Sequence, residues 1–154
     1  MNLEVVGIEN DGDGVLVSQS AYPQLRFYNF GVQDDPAKLL ADEERFDAVI
    51  STEVIEHLFS PHLLPQYAHA ILRDDGYLLL STPYHGYLKN LALSILGKWD
   101  HHHTALWHGG HIKFWSRATL TKLLEENGFQ VQRFYGAGRF PYVWKSMLIL
   151  AKKV

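Results

Sequence analysis

Hydrophobic positions along this chain switch between two periods, and the switching predicts strands alternating with helices. Residues 3–8 (Leu-Glu-Val-Val-Gly-Ile) form a short β-branched run that reads as a strand, and the turn cluster Asn10 to Gly14 leads into a weak helical stretch over 15–21. A second strand is predicted over 25–30, a polar loop with one helical turn over 34–45, and a third strand over 46–51. After Pro61, Leu63, Leu64, Tyr67, Ala70 and Ile71 recur at helical spacing until the Asp74-Asp75-Gly76 turn. A fourth strand over 77–82 is stopped by Pro83. Tyr87, Leu88, Leu91, Ala92 and Ile95 then follow helical spacing over 86–96, and a loop rich in histidine and glycine runs to His111. Ser116 is a helix N-cap, Leu120, Leu123 and Leu124 give one buried face, and Gly128 is placed to close the helix in a left-handed cap. Two strands over 130–135 and 144–152, separated by a turn at 136–139, finish the chain.

This alternation predicts an α/β fold: a mostly parallel sheet with helices on both faces, with ligands bound beyond the carboxyl ends of the strands. The last two strands lack an intervening helix, so they are expected to pair as an antiparallel hairpin closing one edge.

At 154 residues and 47% hydrophobic content, a chain of this size buries about two thirds of its surface as one domain, so a single domain over 1–154 is expected. A formal net charge of −3 leaves no basic surplus for a phosphate backbone, which weighs against nucleic acid as a partner. With no cysteine, disulfides, thiolate nucleophiles and zinc–thiolate sites are absent. The opening residues lack the basic start and apolar core of a signal segment, and the longest apolar stretch, near residues 91–96, is too short for a membrane span. A cytoplasmic location is the default expectation.

The chemistry concentrates in residues 46–57, Phe-Asp-Ala-Val-Ile-Ser-Thr-Glu-Val-Ile-Glu-His. A buried-strand pattern stops and hands over to Glu53, Glu56 and His57, three ionisable groups in five positions, which neither a strand nor a solvated helix needs for packing. Glu9, at the end of the first strand, has two readings: a solvated turn carboxylate, or the acceptor of both hydroxyls of a ribose diol. A calcium loop through Glu9, Asp11, Asp13 and Gly14 fails at its twelfth place, where Ser20 stands instead of glutamate. No Gly-x-Ser-x-Gly elbow or Walker loop occurs, so hydrolase chemistry has no support. The run His101-His102-His103 reads as a solvated or lid segment, because adjacent loop residues rarely converge.

Taken together, Val5-Val6-Gly7-Ile8-Glu9, the segment 46–58, the run Leu72 to Pro83 and the helix over 120–129 resemble, in order and spacing, the class I S-adenosylmethionine-dependent methyltransferases of the type 11/12-like group. The resemblance covers nearly the whole chain and implies a Rossmann-like sheet, S-adenosylmethionine as cofactor, and Glu9 on the cofactor ribose. Asn10, Ser51, Thr52 and Glu53 are carried over as cofactor-binding positions. The family's glycine-rich loop lies about 20 residues before that acid, whereas eight residues precede Glu9, so the first βα unit is expected to be missing. A truncated enzyme, exposing sheet edges that favour a homodimer, and a silent remnant or interaction module that does not bind the cofactor alone are the two expectations that follow.

Glu53, Glu56, His57 and His111, the last within Gly109 to Arg117, resemble the ligands of metal-dependent O-methyltransferases of the ubiquinone-biosynthesis and small-RNA 2′-hydroxyl types. The resemblance implies a divalent ion (Mg, Mn or Zn) lowering the pKa of an acceptor hydroxyl. Without metal, His57 and Glu56 are the candidates for catalysis, His57 as general base, since imidazole changes protonation near neutral pH, and Glu53 lines the methionine end. The expected acceptor is a small-molecule hydroxyl. Tyr84, His85, Trp99 and Trp107 are expected to shape a lid over it, unless they are core. The helix over 87–96 is expected to pack on the sheet, or else to meet a membrane or a lipophilic acceptor.

Overall fold

The computed structural model describes residues 3–103 and 106–154, which fall into two compact units, Met1–Glu44 and Arg45–Val154. In the first unit, strand β1 (Val6–Ile8), helix α1 (Gly12–Ala21) and strand β2 (Arg26–Tyr28) form a βαβ unit. β1 and β2 pair in parallel, Val6 beside Arg26 and Ile8 beside Tyr28. Asp11 caps α1 by accepting from Gly14 N, satisfying one of the free amides at the helix start. A short helix α2 (Pro36–Leu40) follows, with Asp35 as cap and Leu39 buried. Arg26 holds this unit's polar edge, pairing with Glu43 at 2.6 Å and Glu4 at 2.5 Å, while the Tyr28 hydroxyl donates to Glu43.

The second unit contains β3 (Phe46–Thr52), a 3₁₀ turn (Ile55–His57), α3 (Leu63–Ile71), β4 (Leu72–Pro83), α4 (Tyr87–Ile95), α5 (Trp99–His103), α6 (Arg117–Glu125), β5 (Phe129–Ala137) and β6 (Ser146–Lys153). Its sheet has the order β3-β4-β6-β5, with β3 and β4 parallel and β6 antiparallel to both neighbours. β3, β4 and β5 therefore share one direction. The closing strands do form the expected hairpin, but β6 inserts between β4 and β5, leaving β5 as the edge. Composition explains this order: β6 (Ser-Met-Leu-Ile-Leu-Ala-Lys-Lys) buries Met147, Ile149 and Ala151 completely, with Leu148 and Leu150 half-buried between them, whereas β5 carries exposed Gln130, Gln132 and Arg133. The strand with apolar residues on both faces takes the position covered on both sides.

The Asp74-Asp75-Gly76 turn expected before the fourth strand lies inside β4. Phe46 pairs with Leu72 and Ala48 with Tyr77, so two steps along β3 answer five along β4, and the excess forms a bulge with Asp75 at φ 64. Lys152 secures it through a 2.7 Å pair with Asp75. At the end of α6, Gly128 adopts φ +81, and a Cβ there would meet His69 Nε2 of α3 at 2.8 Å, so both conformation and close approach require glycine. The core joins Leu64 and Ile71 of α3, Leu120 and Leu124 of α6, and Leu78, Leu80 and Phe129 of the sheet. Among the described residues, no helix is long and apolar enough to cross a membrane.

Candidate active site

The end of β3 turns sharply because Glu53 adopts φ 54, while its N–H still donates to Ser81 O at 3.0 Å, extending the ladder by one bond. A non-glycine residue in this region carries a conformational cost, and such positions concentrate at functional sites. The chain then winds one 3₁₀ turn anchored by Ile55, which is wholly buried. That winding sends Glu56 inward and leaves His57 half-buried.

Glu56 is 1% exposed; its Oε2 accepts from Thr82 Oγ1 at 2.9 Å, and its Oε1 is buried without a hydrogen-bond partner among the described residues. Its backbone carbonyl accepts from both Ile112 N and Lys113 N, at 2.9 and 3.0 Å. These two bonds dock the segment carrying His111 against the 3₁₀ turn, and the rings of His57 and His111 meet edge-on with centroids 4.9 Å apart. One donor atom from each of Glu56, His57 and His111 lies within 4.8 Å of the other two. Three of the four ligands anticipated from the sequence are thus together. Glu53 is outside this group: its Oε1 accepts from Ser81 Oγ at 3.0 Å, a bond that holds the carboxylate toward the end of β4. Ser51 is half-buried and Thr52 exposed at the end of β3, opposite Leu80 and Ser81.

In the first unit, Glu9 is exposed at the end of β1, with Oε1 accepting from Asp11 N at 2.9 Å. Gly14 makes room for this side chain, since a Cβ there would come within 2.9 Å of Glu9 Cγ. Asn10 accepts from Gln33 Nε2 through Oδ1.

The segment expected to form a lid is divided in its behaviour. Tyr84 is core, packed against Phe134 and Trp144. His85 is 8% exposed and lies beside His102 and His103, each at 5.7 Å between ring centroids. Residues 101–103 are helical rather than a solvated loop, and His102 and His103 do converge with His85, because Phe114 and Trp99 pack against the same rings. Burial, reinforced by the Lys89 charge, pushes His85 and His102 down to about 4. Trp99 and Trp107 remain substantially exposed, and Thr104 and Ala105 of this segment lie outside the described residues. Nor does α4 bury its apolar positions on the sheet. Tyr87 and Ile95 are 78% and 75% exposed, whereas Lys89 is 2% exposed and donates to Tyr84 O at 2.7 Å.

The family model of a methyltransferase domain matches residues 6–133, reaching from β1 into β5. The chain belongs to the S-adenosylmethionine-dependent class I methyltransferases. Among curated relatives, the ubiquinone biosynthesis O-methyltransferase of Azorhizobium caulinodans is 29% identical over 146 residues, covering 88% of this chain and 54% of that one. The enzyme of the same description from Glaesserella parasuis serovar 5 is 31% identical over 83 residues, 51% of this chain and 35% of its own length. This methyltransferase domain thus spans about half, or less, of the curated relatives it matches. Among solved structures, magnesium protoporphyrin IX methyltransferase from Synechocystis PCC 6803 with bound S-adenosylhomocysteine superposes with a TM-score of 0.65 at 18% identity, over 97% of this chain and 64% of that one. At that identity the likeness is one of fold, and it includes the mixed sheet described above.

Ser81 and Thr82 were not among the residues singled out from the sequence, yet each hydroxyl holds one of the two glutamates. The available signal was the pair of hydroxyls ending an otherwise apolar strand, Leu-Leu-Leu-Ser-Thr-Pro.

Proposed function

We propose that this domain transfers the methyl group of S-adenosylmethionine to the hydroxyl of a small molecule. The observation that carries the reading is the buried Glu56, whose Oε1 has no hydrogen-bond partner among the described residues and one of whose carboxylate oxygens lies within 4.8 Å of ligand atoms of His57 and His111. A buried carboxylate oxygen without a donor is costly unless something else occupies it. Glu9, with Asn10, is assigned to the cofactor's ribose, where one carboxylate accepts from both hydroxyls of the diol. Ser51, Thr52 and Glu53 are assigned to its methionine portion. The description of the ubiquinone-biosynthesis relatives supports oxygen as the atom methylated.

In the transfer, the acceptor oxygen attacks the sulfonium methyl, an O–C bond forms as the S–C bond breaks, and S-adenosylhomocysteine leaves. Alignment supplies most of the acceleration for such a displacement, and the remaining need is removal of the hydroxyl proton. His57 takes that proton, and Glu56, fixed by Thr82, stabilises the resulting imidazolium. The donor set of one carboxylate and two imidazoles also suits a divalent cation, held by Glu56, His57 and His111. When bound, such an ion supplies Lewis acidity that lowers the pKa of a hydroxyl. β3 is an edge of its sheet and Ile50 on it is 68% exposed, which supports self-association through that edge, testable as a concentration-dependent mass in sedimentation.

The test is calorimetric titration of S-adenosylhomocysteine into the chain, followed by methyl transfer from S-adenosylmethionine to catechol. Transfer that falls in His57→Ala and Glu56→Gln while cofactor binding is retained supports the reading. Absence of cofactor binding would leave an interaction module and overturn it.

A further inference from the structure

The burial of Lys89 inverts the usual logic of an amphipathic helix. Over Tyr87–Ile95, the positions that should face the protein, Tyr87, Leu88, Leu91 and Ile95, are exposed, and the only fully buried residue is a lysine. Burying an aliphatic side chain stabilises a fold, and lysine is almost never buried without a partner. Among the described residues, Lys89 Nζ has one hydrogen bond, to the Tyr84 carbonyl, and no carboxylate within ion-pair distance. An ammonium offers three donors, so two remain unused.

The surroundings repeat the theme. Arg139 acts on Lys89 and His102 as a second positive charge, against a weaker negative influence of Glu53 on Lys89. His85, His102 and His103 lie together, and the Nε2 atoms of His85 and His103 are buried without partners. With His85 and His102 held down to about 4, these imidazoles are neutral at pH 7, and each offers one N–H. A buried cation with spare donors, a second cation and unpartnered imidazole nitrogens make a receptor for negative charge. We propose that Lys89, Arg139, His85 and His103 bind an oxyanion group, carboxylate or phosphate, carried by the methyl acceptor. The inference rests on the methyl-transfer reading for the word acceptor.

The experiment titrates benzoate, phenyl phosphate and benzamide separately into the wild-type chain and into Lys89→Met and Arg139→Gln, following heat and melting temperature. At least one anion should bind the wild type about ten- to a hundredfold more tightly than neutral benzamide, as hydrogen bonds to a charged group imply. The anion that does so tells a carboxylate acceptor from a phosphate one. Lys89→Met should abolish the preference without lowering the melting temperature, whereas a purely structural lysine would show the reverse. Equal binding of all three probes, or a preference that survives in Lys89→Met, overturns the proposal. If Lys89→Met does not fold, Arg139→Gln on its exposed loop decides, and an undiminished preference there overturns it. S-adenosylhomocysteine is titrated in parallel: cofactor binding with no anion preference removes the oxyanion site alone, and an anion preference without cofactor binding keeps the site and removes the methyl-transfer reading.

Discussion

Glu56 offers a measurement of what the site holds that does not depend on turnover. Its carboxylate is buried, with Oε2 bonded to Thr82 and Oε1 bonded to nothing among the described residues. Leaving a buried acceptor unpaired costs about 1–3 kcal/mol, and more for a charged one. A divalent cation reaching Oε1, His57 and His111 would remove that cost in the folded state only. At a free metal concentration of 100 times the dissociation constant, linkage adds about 2.7 kcal/mol. For chains of roughly this size each kcal/mol raises the melting temperature by about 2–4 °C, so Mn or Mg should raise it by about 5–11 °C over a chelated sample. Differential scanning fluorimetry with EDTA and then with graded metal reads this directly. Glu56→Gln keeps a carbonyl for Thr82 but replaces the other carboxylate oxygen with an amide nitrogen that cannot ligate a cation, so it should lose the metal-dependent rise. His111→Ala, at a half-buried position, should also lose the rise. A wild-type melting temperature indifferent to metal, or an equal rise in both variants, would refute the cation assignment and leave His57 with Glu56 as a metal-free pair.

Three further outcomes are expected. Thr82→Val deprives the Glu56 carboxylate of its one side-chain donor among the described residues and should lower stability by about 1–3 kcal/mol in urea unfolding, an effect that shrinks when Glu56→Gln is already present. Glu9→Gln should weaken S-adenosylhomocysteine binding by about tenfold or more in calorimetry while leaving the melting temperature unchanged, because the side chain is exposed. His85 and His102 are held down to about 4 by burial and by the Lys89 charge, so the unfolded chain binds protons that the folded chain refuses. Stability should therefore fall as pH drops from about 6.5 toward about 4, and a urea midpoint in His85→Gln that declines as steeply as the wild type over that window would contradict this.

The parts of the fold that were legible were those where one local rule had no competitor. Ser116 caps α6 with Thr119 closing the reciprocal bond, and the positive φ of Gly128 follows from its place after the helix. The alternation of Phe46 to Thr52 with the helix and strand that follow led to a parallel pair with β4. One misplacement has a physical cause that pairing makes plain. Asp74-Asp75-Gly76 has turn chemistry, and the backbone does bend there, but pairing with β3 resumes at Tyr77, so turn chemistry produced a bulge and not an end. Which strand of the closing hairpin lies beside β4 was left open by the expectation, and that non-local choice is decided by which strand can bury both faces.

The site divides along the same line. Glu56 and His57 could be named because ionisable residues clustered after a strand have few structural uses, whereas His111 came from the resemblance to metal-dependent O-methyltransferases, and its union with His57 depends on two backbone bonds to the Glu56 carbonyl that leave no trace in composition. The sequence predicts a solvated or lid segment at 101–103, because adjacent residues in a loop rarely converge. A single turn of helix brings His102 and His103 to His85 instead, with Trp99 and Phe114 closing over them. The deepest inversion is α4, where hydrophobic spacing predicts the buried face and the structure turns that face outward to bury Lys89. Periodicity reports which face of a helix is apolar, not which face the protein covers. When the two disagree, the buried charge at Lys89 marks a position where binding, and not packing, has set the orientation.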